Sequence, residues 1–116
     1  MIYLASPYSH PDPSVIESRV EQTKQAMYQL LSQGYVIFSP ILMLHETCKS
    51  YNMPGEAKDW VEFNSVFLSR SDSMFVLCIE GWRQSVGIGH EILEAQLGGV
   101  PVHYVDVLGN FVEPLL

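Results

Sequence analysis

The chain has 116 residues, 47% apolar and 16% charged, with 13 acidic and 6 basic side chains and a formal net charge of −7. This length suits one domain that buries a core without metal or disulfide staples, and the composition excludes a disordered chain. Such an acidic surface argues against a nucleic-acid backbone as main partner, but leaves room for one small phosphate held by local groups.

No apolar run approaches the roughly 18 residues of a membrane helix. No signal-peptide pattern precedes the first strand. The expectation is a cytoplasmic protein with no membrane partner. Cys48 and Cys78 are too few for a disulfide framework, and Cys78 reads as a small core residue.

Strand one is expected at Ile2 to Ala5 and runs into the turn-rich loop Ser6 to Pro11. Asp12 is a good N-cap and Pro13 a good first helical residue. Ile16, Val20, Thr23, Met27 and Leu30 recur at helical spacing, so one face packs on the sheet. Gly34 ends this helix. Strand two is expected at Tyr35 to Ser39, stopped by Pro40. Residues Ile41 to Gly55 read as an irregular loop or a mobile lid.

A second helix is expected from about Ala57 to Ser71, and a third strand over the apolar run Met74 to Ile79. A glycine-rich turn then leads into a helix from Val86 to about Leu97, closed by Gly98 and Gly99. Strand four is expected at Val100 to Val105, followed by a tail of ten residues with room for one short strand. The alternation of short apolar runs with amphipathic ones points to βαβ units in a single α/β domain with a mostly parallel sheet. There is no internal repeat. Ligands of open parallel sheets sit at the carboxyl ends of the strands. That places the loops Ser6 to Pro11, Ser39 to His45 and Glu80 to Ser85 at one rim.

The strongest local signal is Gly81-Trp82-Arg83-Gln84-Ser85-Val86-Gly87-Ile88-Gly89-His90-Glu91. Ser85 is a plausible N-cap, leaving the next backbone N–H groups free for an anion. Gly87 and Gly89 allow close approach to the backbone, at a cost in helix stability. Ile88 and Ala95 flank Glu91 at i−3 and i+4, which puts it on an inward-facing stripe. The alternative is a surface glutamate with glycines that only aid packing.

Ser6, Pro7 and Tyr8 offer hydroxyls for a ribose or phosphate, or form an ordinary turn. Trp60, Asn64 and Phe67 share a helix face, and a polar Asn64 on that stripe needs a partner. Arg83 either pairs a phosphate or is solvated. His10, His45, His90 and His103 lack metal-binding spacing, and His45-x-x-Cys48 lacks a second pair, so no metal is expected.

Ile-Tyr-Leu-Ala-Ser-Pro-Tyr at the start, Phe-Ser-Pro at 38 to 40 and Gly-Trp-x-x-Ser-x-Gly-x-x-x-Glu at 81 to 91 resemble the nucleoside 2-deoxyribosyltransferase superfamily. The likeness is greatest to a short bacterial and phage branch and runs in order over about residues 1 to 106. It implies a flavodoxin-like or Rossmann-like open sheet with helices on both faces. It also implies a homo-oligomer, dimer or tetramer, whose neighbouring chains can complete each pocket.

The implied activity is cleavage or transfer of an N-glycosidic bond in a small-molecule nucleoside or nucleotide, with no cofactor. A glutamate at the Glu91 position attacks the anomeric carbon, and the glycosyl ester passes to a second base or to water. Ser6, Pro7, Ser39, Trp82, Arg83, Ser85 and Gly87 become the substrate-binding candidates. Tyr8 is expected near the sugar or the glutamate, and Asn64 is expected to orient base or sugar.

Two positions depart from the family pattern. Ser85 replaces the transferases' aspartate and matches the serine that contacts phosphate in the related deoxynucleoside 5′-monophosphate hydrolases. Asn64 replaces an aspartate linked to protonation of the leaving base, and an amide has no titratable proton to donate. Two other readings therefore stay open: a pocket that binds a nucleotide without turnover, as a sensor or partner domain, and a structural domain with no ligand.

Overall fold

The computed structural model describes residues 1–55 and 57–114. Among these, four strands and four helices follow in the order β1 (Ile2–Ala5), α1 (Pro13–Ser32), β2 (Ile37–Phe38), α2 (Pro40–Ser50), α3 (Ala57–Ser69), β3 (Ser73–Leu77), α4 (Val86–Leu97) and β4 (Val102–Val105). All strand pairs are parallel and the sheet order is β2-β1-β3-β4. This is an α/β domain of the flavodoxin-like or Rossmann-like kind.

Side-chain alternation along the strands divides the core in two. Leu4, Phe75, Leu77 and Val105 pack with Ala26 and Leu30 of α1 on one face. Tyr3, Ala5, Met74 and Val76 pack on the other face with Leu68 of α3 and with Ile88 and Ala95 of α4. Helices therefore cover both faces of the sheet.

Local chemistry sets the helix starts. The Asp12 carboxylate accepts from the Ser14 N–H at 2.9 Å, and Pro13 supplies a helical φ. Val20, Thr23, Ala26 and Leu30 form the buried stripe of α1. Gly34 leaves that helix with φ +93°, a conformation that favours glycine.

The main correction to the expected elements is α2. Residues 40–50 are helical, not an irregular loop or lid. Ser39 and Pro40 repeat the cap-then-proline device of Asp12 and Pro13, with Ser39 Oγ accepting from the Leu42 N–H at 3.1 Å. The proline that reads as a strand stop also starts a helix. The irregular part is confined to a few residues after Tyr51, where Asn52 has φ +52°.

β1 has its expected bounds, whereas β2 and β4 are shorter than expected because neighbouring backbone groups serve the helix ends. The Tyr35 N–H bonds to the Leu30 carbonyl at 3.3 Å, so Tyr35 belongs to the close of α1. The Val100 N–H likewise returns to the Ala95 carbonyl at 2.8 Å, and Pro101 has no N–H to give. Cys78 lies past the end of β3 and is half-buried, not a core residue, while Cys48 is buried. Helix α3 stops at Ser69, short of the expected Ser71.

The tail contributes one antiparallel bridge between Val105 and Phe111. Residues 115–116 of the expected tail lie outside the described residues. No helix of the described residues is long and apolar enough to cross a membrane.

Leu68 is 1% exposed and anchors α3 against the face of the sheet that carries Tyr3. Leu68→Ala is expected to cost about 2–5 kcal/mol. Urea denaturation should show this as a lower midpoint with an unchanged m-value.

Candidate active site

A cavity of about 1070 Å³ opens at the carboxyl ends of β1 and β3. These adjacent strands send their following helices to opposite faces: α1 follows β1, and α4 follows β3. Chains that part in this way leave a crevice at the strand ends. The volume is at the upper end of the small-molecule range.

Glu91 lies in the cavity wall, one turn into α4 beyond buried Ile88. Its Oε2 accepts a short hydrogen bond from the Tyr3 hydroxyl. Burial pushes the Glu91 carboxyl up to about 7; the Tyr3 bond opposes this and the Glu94 charge adds to it. Burial is likewise the first cause that drives the Tyr3 hydroxyl far above its ordinary value, followed by the Glu91 charge. When Glu91 is ionised, the Tyr3 hydroxyl is the donor of this bond and the carboxylate the acceptor.

Two other polar atoms in residues of the wall are buried without a hydrogen-bond partner among the described residues: Ser6 Oγ and Asn64 Oδ1. Leaving a buried polar atom unmatched costs about 1–3 kcal/mol. Asn64 stands on α3 near Ser65, whose hydroxyl donates to Glu94 Oε1 at 2.5 Å. A stack of Phe38 on Phe67, with centroids 4.1 Å apart and planes within 6°, ties α3 to β2.

The start of α4 forms another part of the wall through Ser85, Val86 and Gly87. Ser85 is the N-cap, its Oγ accepting from the Ile88 N–H at 3.1 Å. The first return bond runs from the Gly89 N–H to the Ser85 carbonyl at 3.1 Å. The N–H groups of Val86 and Gly87 precede it and are open to an anion. Gly87 lines the cavity, whereas a Cβ on Gly89 would meet open space.

Arg19 and Lys58 are cations of this wall, and Arg83 is not. Arg19 Nη1 donates to the Ser9 carbonyl at 2.9 Å. A Cβ on Gly81 would lie 2.3 Å from Arg19 Nη2, and Gly81 has φ +93°. Glycine at 81 thus serves both the turn and the seat of the guanidinium. The sequence carried a second signal for this contact, since Arg19 lies four and seven residues before Thr23 and Ala26 and so puts a charge on the buried stripe of α1.

Ser6, Tyr8, Asn64, Ser85, Gly87 and Glu91 all meet at the cavity. Four other candidates lie outside its wall. Pro7 is fully buried behind the loop. Ser39 spends its hydroxyl on the α2 cap. Trp82 packs on Tyr104 at 5.5 Å, and the exposed Arg83 lies over the Trp82 ring at 5.1 Å. Tyr8 bonds to His45 Nδ1 at 2.7 Å, not to Glu91. Tyr3 takes the place beside the glutamate, as the period-two alternation of β1 would allow, because Tyr3 shares the face on which α4 packs. Among the described residues no cluster of three or more His, Cys, Asp or Glu could hold a metal.

Residues 1–107 match the family described as "Domain of unknown function (DUF1937)". The chain belongs to that family, and the matched stretch holds every strand and helix named above. No curated protein matches the chain.

The raised Glu91 carboxyl has a consequence for stability. Its folded pKa of about 7 exceeds the ordinary 4.5. The folded state therefore binds more protons than the unfolded chain between those values, and stability falls as pH rises through that window. Glu91→Gln removes this loss. Its stability advantage over wild type should grow between pH 4 and 8 by on the order of 2–3 kcal/mol and then level off. Urea denaturation at a series of pH values measures it; a gap that does not change with pH would contradict the assignment.

Proposed function

We propose that the protein cleaves or transfers the N-glycosidic bond of a (deoxy)nucleoside or nucleoside 5′-monophosphate, with Glu91 as nucleophile. The observation that carries this reading is the Glu91 carboxyl itself. It is desolvated, oriented by Tyr3, and set in the wall of a cavity that also holds two unmatched polar atoms. The sequence resemblance to the nucleoside 2-deoxyribosyltransferase superfamily supports the same chemistry.

In this reading an oxygen of the Glu91 carboxylate forms the bond to the anomeric carbon while the carbon–nitrogen bond breaks toward the base. Water or a second base then displaces the glutamate, which completes a retaining double displacement. Desolvation raises the basicity of the carboxylate and so its reactivity once ionised. The Tyr3 bond fixes which oxygen is held and which is free. Arg19 and the open N–H groups at the start of α4 suit a 5′-phosphate. Ser6 and Asn64 suit sugar or base. The homo-oligomer, dimer or tetramer, that the resemblance implies is part of the same proposal.

Glu91→Gln should abolish base release while leaving nucleotide binding largely intact, because an amide is a far poorer nucleophile at an anomeric carbon. For the wild type, kcat/KM should rise with pH up to about 7, since the reactive form of Glu91 is the carboxylate. The measurement is free base released from a panel of nucleosides and 5′-monophosphates. Unchanged release by Glu91→Gln would remove Glu91 as nucleophile.

A second reading, nucleotide binding without turnover, is favoured by Asn64. Its amide stands in the wall with Oδ1 unmatched and carries no titratable proton. If a missing acid at this position limits turnover, Asn64→Asp should raise the rate of base release. A silent wild type made active by Asn64→Asp would favour the binding reading.

A further inference from the structure

Breaking a carbon–nitrogen glycosidic bond takes a proton for the departing base as well as a nucleophile for the sugar. Asn64 has no such proton, and Glu94 is held as an acceptor by Ser65. Another group in the wall is built differently. Three side chains from three segments form a hydrogen-bonded chain that runs from the surface to the cavity. Glu17, on the exposed side of α1, accepts from His45 Nε2 at 3.2 Å and from Lys49 Nζ at 3.3 Å. His45, on α2, is 5% exposed, and its Nδ1 lies 2.7 Å from the Tyr8 hydroxyl oxygen. The two rings meet edge to face with centroids 5.6 Å apart. Tyr8 and His45 both line the cavity.

A carboxylate on one imidazole nitrogen sets the orientation of the ring and the role of its other nitrogen. Carboxylate, imidazole and hydroxyl in series form the arrangement that moves a proton to or from a hydroxyl in nucleophile–base–orienter triads. Here the hydroxyl is a phenol, and the sugar's nucleophile is already supplied by Glu91.

We propose that Tyr8 delivers the proton to the departing base, with His45 and Glu17 as positioning residues that reload it. This rests on the N-glycosidase reading and assigns the half of the reaction that reading leaves open. In its imidazolium form His45 donates Nε2–H to Glu17 and Nδ1–H to Tyr8, and the Tyr8 O–H faces the substrate. As the Glu91 oxygen bonds to the anomeric carbon, the electron pair of the broken bond goes to the base. A nitrogen or carbonyl oxygen of the base takes the Tyr8 proton, and Tyr8 takes the Nδ1 proton of His45. His45 is left neutral, still bonded to Glu17. When water attacks the glycosyl ester, its oxygen joins the anomeric carbon and Glu91 leaves as carboxylate. The water's spare proton returns through Tyr8 to His45, and the cycle closes with no other reactant.

Burial comes first among the causes that raise the Tyr8 hydroxyl above its ordinary value, so at neutral pH the proton is in place to be given.

The test is the dependence of rate on the leaving group. Deoxynucleoside 5′-monophosphates need a proton on the base, whereas the 4-nitrophenyl 2-deoxyriboside 5-phosphate expels a stable anion unaided. Tyr8→Phe keeps the ring against His45 and loses only the hydroxyl. It should lower kcat/KM by about 100-fold or more on the nucleotides and leave the nitrophenyl substrate nearly unchanged. Glu17→Gln should show a smaller loss with the same selectivity.

Equal losses on both substrate classes, or no loss on either, would overturn the role of Tyr8 and leave the nucleophile untouched. Wild-type release from the nitrophenyl substrate alone would also overturn it, since no competent acid would then be present. No wild-type release from either class would overturn the N-glycosidase reading and this proposal together.

Discussion

A carboxyl group removed from water needs donors, and Glu91 receives one from a tyrosine that cannot move. Tyr3 is wholly buried in β1, a strand paired on both sides, and its hydroxyl reaches across to α4. Helix α4 is itself fixed by Ile88 and Ala95, which flank Glu91 on the buried stripe. Both partners of the bond are thus carried on rigid elements, the condition for holding a reactive group within a fraction of an ångström. The bond also moderates what burial does. Desolvation alone would favour the neutral acid more strongly, and the Tyr3 donor draws the carboxyl back toward ionisation. The balance leaves a group that changes charge near neutrality.

The sheet order turns that pair into part of a cavity. With β1 and β3 adjacent at the centre, α1 leaves to one face and α4 to the other. Arg19 from α1 and the start of α4 then line the same space, and Arg19 rests against Gly81 in the loop between β3 and α4. Helix α2 adds His45, and α3 adds Asn64 and Ser65. All four helices and the loops after β1 and β3 contribute to the wall, as strand-end sites of open parallel sheets require.

Much of this was legible in the residues. The caps Asp12 and Ser85, the parallel strands and the inward stripe of Glu91 all followed from local chemistry and periodicity. Helix α2 was not legible because Pro40 carries two meanings: it ends a strand and it starts a helix. The choice depends on whether Ser39 turns its hydroxyl to the Leu42 N–H, which the linear pattern does not reveal. Partners distant in sequence were equally hidden. Arg83 beside the glycine-rich turn left two readings open, a phosphate partner or a solvated side chain; it lies over its neighbour Trp82, outside the wall, and cations of the wall come from α1 and α3 as Arg19 and Lys58. Tyr8 and Tyr3 differ in the same way. One follows the strand and meets His45; the other lies within the strand and meets Glu91. Both are long-range contacts, and only the packing of helices on the sheet decides them.

The distribution of unfavourable features argues against a domain that merely packs. Glu91 is desolvated, and Ser6 and Asn64 each carry an unmatched buried atom. Gly81 adopts a left-handed backbone, and Gly87 and Gly89 weaken the first turn of α4. Four of these would be relieved by a simple substitution: glutamine at 91, alanine at 6, leucine at 64 or alanine at 87. A sequence under selection for stability alone would drift toward such residues. All but Gly89 belong to residues that line one cavity, while the two core faces of the sheet are apolar and fully packed. Left-handed backbone also occurs away from the cavity, at Gly34, Asn52, Gly99 and Gly109, but the desolvated carboxyl and both unmatched polar atoms belong to residues of the one wall. Under the proposed function the reactive groups there are one carboxylate aimed by a phenol, and a second phenol backed by an imidazole and a carboxylate.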